Sequence, residues 1–144
     1  SIALINQRLE PAVVAARAAH PQIVATLTPG GTAAGIEYST IATPAVLSFT
    51  TRANGRPTIV VSSGALTALT QGELEAVLWH ERAHLRGHHN ALKTTAALLA
   101  QLTPRIAASR VLVNELERLC EAAADRYALK HTSHQLLLAA RAKF

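Results

Sequence analysis

Near the middle of the chain, His80-Glu81-Arg82-Ala83-His84 constrains the fold more than any other stretch. Two histidines four apart can act together only if the backbone between them is helical, because residues at that spacing then lie one turn apart on one face. Each imidazole can then present one ring nitrogen to the same ion, with Glu81 beside the ion rather than on it. Two neutral imidazoles as ligands, and a carboxylate to accept a proton from the water the ion activates, are what a zinc hydrolase needs. The competing reading is an ordinary helix whose solvated face carries His and Glu.

The flanking residues favour a helix. Thr70 followed by Glu73 forms a capping box at its start. Leu74, Val77, Leu78 and Leu85 recur at helical spacing and mark a buried face. Glu81 and His84 fall along the edge of that apolar stripe, where unpaired polar groups cost several kcal/mol unless they bind a partner or a metal.

A chain of 144 residues is expected to form one domain, residues 1–144, with a real core. Nearly half of it is hydrophobic, which excludes a disordered chain, and with aromatics at 3% Ala, Leu and Val carry the packing. No stretch approaches the roughly 20 apolar residues of a membrane span; the longest candidate, Thr94 to Leu102, is cut short by Pro104. No signal peptide is visible, and a chain opening on Ser1 reads as a piece of a longer protein whose membrane spans, if any, lie outside it. The net charge of +5 comes from scattered arginines rather than a basic block with aromatic platforms, so no nucleic-acid partner is expected. The charge equally suits an anionic membrane surface. The single Cys120 excludes an internal disulfide, fits a reducing compartment and reads as a small buried hydrophobe rather than a nucleophile.

Along the chain, Ile2 to Ala19 reads as a helix with Pro11 inside it, and Gln22 to Thr28 as a strand ending in a Pro29-Gly30-Gly31 turn. A short strand is expected over Gly35 to Ile41. Two β-branched runs, Val46 to Thr51 and Thr58 to Ser62, are joined by an Asn54-Gly55 hairpin. A short helix from Ala65 to Leu69 leads into the motif helix, which Gly87 loosens near His88. Helices follow over Ala91 to Leu102 and Ile106 to Val113. A second capping pattern, Asn114 with Glu117, opens another through Leu129, and Ser133 to Ala142 closes the chain. Helix, small sheet, then helices is an α+β order.

Two histidines need a third protein ligand, with water in the fourth position. One candidate is local: His80 to Gly87 begins the longer metzincin pattern, but the residue where its third histidine belongs is Asn90, His88 and His89 are off register, and without Met there is no Met-turn. The other is distal. Glu121 and Asp125, four apart on one helical face, can close a His/His/Glu site and accept the N–H of a ligating imidazole, respectively. Glu117, one turn earlier, adds a third acid whose repulsion a cation would relieve. An acidic face balanced by Arg118 and Arg126 is the plainer alternative.

At this point the chain resembles a family. H-E-x-A-H over 80–84, followed by Glu121-Ala122-Ala123-Ala124-Asp125, looks like the gluzincin peptidases of the M56 and M48 families, which include BlaR1-like sensor-transducers and HtpX- and Ste24-like membrane proteases. The strand-to-helix segment Pro57 to Leu66 is similar too, and the likeness runs from about residue 45 to 130, leaning towards the M56-like group. It implies a zincin-like (minigluzincin) domain, a small β-sheet packed on the H-E-x-x-H helix and a following E-x-x-x-D helix. It also implies a membrane-anchored parent protein with the peptidase domain on the cytoplasmic side, its membrane segments absent from this chain. No sensor domain is visible, so antibiotic sensing does not carry over.

On this reading the chain is a zinc-dependent endopeptidase. His80, His84 and Glu121 hold Zn²⁺, Glu81 is the general base, and Asp125 stands behind a ligating histidine. The substrate, a peptide or protein, adds as a strand to a sheet edge near Val46 to Thr50. Tyr127, His131, His88 and Asn90 are candidates by chemistry alone for substrate or oxyanion contacts; His20, His89 and His134 stay unassigned. The rivals are a non-catalytic zinc-binding signalling module, a basic interaction domain with a chance motif, and a metzincin-like peptidase.

Overall fold

The computed structural model describes residues 26–103 and 107–144. The helix expected over Ile2–Ala19 and most of the strand expected over Gln22–Thr28 lie outside these residues. The described chain folds as β1 (Thr28–Ala33), β2 (Ile36–Ile41), β3 (Ser48–Ala53), β4 (Arg56–Ser62), α1 (Ser63–Ala68), α2 (Gln71–Arg86), α3 (His89–Leu102), α4 (Ala107–Ala128) and α5 (His134–Lys143). The α+β class expected from sequence is thus observed, with the sheet followed by helices.

The four strands form one sheet in the order β1-β2-β4-β3. β1 pairs antiparallel with β2, β2 parallel with β4, and β4 antiparallel with β3. The β3–β4 hairpin turns on Asn54 and Gly55, with φ of 52° and 75°, as Asn-Gly in a tight hairpin requires. β3 therefore ends up as an edge strand, with the buried Ile59, Val60 and Val61 of β4 one strand in.

The Pro29-Gly30-Gly31 stretch is not a turn but part of β1. Its register against β2 shifts between Pro29 and Gly31, which marks a bulge. Proline is tolerated there because β1 is an edge strand and needs no donor on its outer side. Gly30 is required sterically, since a Cβ there would lie 2.6 Å from two ring carbons of Tyr38. The turn falls instead on Ala34 and Gly35, both at positive φ.

At the end of β4 the chain enters α1 through Ser62, a fully buried residue whose hydroxyl is saturated. Its Oγ donates to the carbonyl of Ala45 at 2.6 Å and accepts from the amides of Leu47 at 2.9 Å and Ala65 at 3.0 Å. It thus caps the helix and ties the 42–47 loop to it. Gly64 lies against that loop, and any Cβ there would overlap the carbonyl of Pro44. α2 follows with Thr70 as N-cap, its hydroxyl accepting from the Glu73 amide at 3.3 Å. Leu74, Val77 and Leu78 are buried against Ile36, Ile59, Val61 and Ala65, and Leu85 packs on the same cluster. Lys143, at the end of α5, reaches the Glu73 carboxylate at 2.7 Å and fastens the C-terminus to the start of α2.

The two helices expected over Ile106–Val113 and Asn114–Leu129 are one helix, α4, from Ala107 to Ala128. Asn114 is an interior helical residue rather than a cap, because its neighbours are good helix formers and no Gly or Pro lies between 107 and 128. α4 packs on α2 through small side chains: Ala76, Ala124 and Ala128 are wholly buried, Ala76 and Ala128 in one cluster with Leu137 of α5. Small residues let the two helix axes approach closely, and Glu121, Ala124, Asp125 and Ala128 share one face at helical spacing. Cys120 is free and buried, its thiol pushed up by burial, as a packing residue's would be.

Ser62→Ala removes the cap and leaves two amides and a carbonyl at the β4–α1 junction without that partner. The expected loss in chemical denaturation is about 2–3 kcal/mol. An unchanged midpoint would show that the junction is held by other means.

Candidate metal centre

α2 carries His80 and His84 on its face towards α4, with Glu81 beside them towards β3, and all three are buried. The imidazoles meet through their Nε2 atoms, 3.0 Å apart. Glu121 of α4 closes the triangle, with Oε2 3.2 Å from His80 Nε2 and Oε1 3.1 Å from His84 Nε2. These three side chains are a group whose donor atoms all lie within 4.8 Å of one another. The distal acid of the sequence reading is thus brought to the histidines across forty residues of chain, and the local alternative is not. Asn90 turns away and donates its amide to the Thr50 carbonyl at 3.2 Å and hydroxyl at 2.7 Å, on β3.

The partners of the other ring nitrogens determine what the three atoms can hold. His80 Nδ1 lies 2.9 Å from Asp125 Oδ1. A carboxylate only accepts, so the proton of a neutral His80 sits on Nδ1 and its Nε2 is a lone pair. Asp125 is itself fixed by an ion pair with Arg141 of α5. His84 Nδ1 lies 2.7 Å from Nδ1 of His89, a buried residue at the start of α3 to which the sequence reading gave no role. With His84 donating there, its Nε2 is also a lone pair. Two nitrogen lone pairs and a carboxylate then face each other at about 3 Å, an arrangement that repels itself unless a cation sits among them. Glu121 Oε1 is buried without a hydrogen bond, although Lys93 Nζ stands 3.7 Å away. Two imidazoles and a carboxylate form a donor set suited to zinc.

The electrostatics tell the same story with protons. Burial opposes a charge on His80, but hydrogen bonds to Asp125 and Glu121 and the charge of Glu81 push its pKa up to about 10. Burial likewise opposes ionisation of Glu121, yet His80 and His84 hold its carboxyl far below the usual range. Asp125 is lowered against burial by His80 and Arg141. His89 goes the other way, with burial and then the neighbouring His84 and Lys93 keeping it neutral. The cluster is built to hold positive charge.

Glu81 is 4% exposed and lies next to the triad, its Oε1 accepting from the hydroxyl of Ser48 at the head of β3 at 2.9 Å. The remaining candidates lie elsewhere. The Tyr127 hydroxyl accepts from Arg86 at 3.1 Å, and the His131 ring stacks on Trp79 with centroids 3.8 Å apart. No hydrogen bond, ion pair or ring contact joins either to the triad. His88 is exposed at a φ of 51°, in the bend between α2 and α3. Ser48, His89 and Arg141 were missed because each reaches the site through tertiary packing rather than a motif.

A family model described as Peptidase family M48 matches residues 32–107, just over half of the chain. No curated protein and no solved structure matches. The matched stretch contains His80, Glu81 and His84 and stops before Glu121 and Asp125, so the third donor rests on geometry alone.

In the chelated protein the raised pKa of His80 contributes stability that is complete below the imidazole's ordinary value near 6.5 and is lost as pH rises towards about 10. The denaturation midpoint of metal-free protein is expected to fall between pH 7 and 9, and zinc should abolish the fall by taking the proton's place. A midpoint that stays flat without zinc would contradict this charge balance.

Proposed function

The chain belongs to peptidase family M48, a family of metal-dependent peptidases, and from that membership and its buried donors we propose a zinc-dependent endopeptidase domain of the minigluzincin type. The observation that carries the reading is the convergence of His80 Nε2, His84 Nε2 and a Glu121 carboxylate oxygen, with Asp125 fixing the tautomer of His80. These three residues would hold Zn²⁺. When bound, the ion supplies Lewis acidity, polarising a peptide carbonyl and making water acidic enough to lose a proton near neutral pH.

The chain's own residues do the rest. Glu81, next to the ion site, accepts the proton of the attacking water and returns it to the leaving amine. The Ser48 hydroxyl orients that carboxylate through its bond to Oε1. Ser48 also opens β3, so the general base and the edge strand of the described sheet are joined by one hydrogen bond. An extended peptide adding to β3 would have its backbone fixed by the edge and its scissile bond held near Glu81. Asn90, bonded to Thr50 on that strand, stands at this edge and would meet the substrate there rather than act on the oxyanion.

We further propose that the chain is one domain of a longer, membrane-anchored protein with the peptidase on the cytoplasmic side. Among the described residues no helix is long and apolar enough to cross a membrane. However, Leu98, Leu99, Leu102, Val111 and Leu112 are exposed towards the α3–α4 connection, and no Asp or Glu occurs between Glu81 and Glu115. Exposed apolar side chains on an acid-free stretch support a position against an anionic bilayer. The free Cys120 fits a reducing compartment.

Elemental analysis of purified protein should find one zinc per chain, retained in Glu81→Gln and Asn90→Ala and lost or much weakened in Glu121→Ala. Against a peptide substrate Glu81→Gln should lower kcat/KM by about 10²–10⁴-fold. Zinc that persists without Glu121 would overturn the ligand set. Activity that survives Glu81→Gln would overturn the general base, and a fully loaded but inert parent would favour a non-catalytic zinc module.

A further inference from the structure

The second ligand histidine has an unusual support, and its surroundings are shaped to provide it. α2 ends at Arg86, Gly87 follows, and His88 takes a left-handed conformation at φ 51° before α3 begins at His89. This bend folds the His89 ring back over the end of α2 until its Nδ1 meets Nδ1 of His84 at 2.7 Å, the rings edge to face. Gly87 is in ordinary helical conformation, at φ −81°, so it is not glycine for conformational reasons. It is glycine for space, because a Cβ there would overlap Nε2 of His89 and lie 2.5 Å from its Cδ2. The missing methyl, the left-handed residue and the buried ring together form a seat for one imidazole.

We propose that His89 is a positioning residue for His84: its Nδ1 accepts the Nδ1 proton of His84 and so keeps the Nε2 lone pair of His84 turned towards Glu121 and the ion. The inference rests on the zinc reading above. One proton lies between two ring nitrogens, and His84 must be its donor if His84 Nε2 is to bind a metal. The proton of His89 is then on Nε2, over Gly87. The two ligands are thus oriented by different chemistry. His80 has a charged acceptor, Asp125, backed by Arg141, whereas His84 has a neutral imidazole that adds no charge to the site.

The test uses the full chain and zinc alone, with affinity measured by competition against a chromophoric chelator. His89→Leu should weaken zinc about 10–100-fold while still reaching one ion per chain at high zinc. His89→Asn, whose amide oxygen can occupy the place of Nδ1, should recover most of that loss. Gly87→Ala, which displaces the ring without removing it, should resemble His89→Leu. In ¹⁵N-labelled zinc-loaded parent, His84 should show a slowly exchanging Nδ1 proton that disappears in His89→Leu. Parent affinity in both His89→Leu and Gly87→Ala would overturn the inference. Complete loss of zinc in His89→Leu with no recovery in His89→Asn would also overturn it, by making His89 a ligand. A parent that binds no zinc would defeat the zinc reading itself, an outcome distinct from either.

Discussion

Two imidazole lone pairs and a carboxylate oxygen held about 3 Å apart in a buried space repel one another, and the rest of the site follows from that repulsion. Such a cluster survives folding only if positive charge enters it, as a metal ion or as protons. The fold spends a good deal of structure on keeping the donors together. Ala76, Ala124 and Ala128 remove the bulk that would separate α2 from α4. Asp125 and His89 hold the rings so that their lone pairs point inwards, and Arg141 holds Asp125. Against its burial, the carboxylates of Asp125, Glu121 and Glu81 raise the pKa of His80, so the same surroundings that favour a cation favour a proton.

What could be read from the sequence is what depends on short-range periodicity. The α2 helix, its cap and its buried stripe announce themselves within one stretch, and the Asn54-Gly55 hairpin needs no tertiary context. Glu121 and Asp125 were legible as a pair on one helix face, although that pattern alone fits a solvated acidic surface; only the packing of Ala124 and Ala128 against α2 gives it chemistry. The misreadings have the same root. Pro29-Gly30-Gly31 has turn composition, but its glycine is there to accommodate Tyr38 in a bulge. Asn114 has cap chemistry, but nothing before it ends the helix. His89 was illegible because its place depends on a left-handed neighbour and the volume of a missing methyl group, neither of which has a period.

Family membership and geometry divide the chain between them. The M48 match covers most of the sheet and the two histidines, and of the two families the motif resembles it supports M48. It ends at the start of α4 and so says nothing of the third donor. That donor is supplied by the α2–α4 packing, independently of the match. The two agree on one chemistry, and neither would carry it alone: the family implies a metallopeptidase without a complete ligand set, and the geometry implies a cation site without a reaction. The hydrogen bond from Ser48 to Glu81 connects them, since it joins the proposed base to the strand proposed to hold the substrate.

X-ray absorption at the zinc edge of the loaded, full chain tests the central claim most directly, because it counts ligands by type. The ligand set predicts a single zinc with two imidazoles and oxygen donors, all at about 2.0–2.2 Å, and no sulfur. A third imidazole in the first shell, or zinc held by oxygen alone, would contradict a site built from His80, His84 and Glu121.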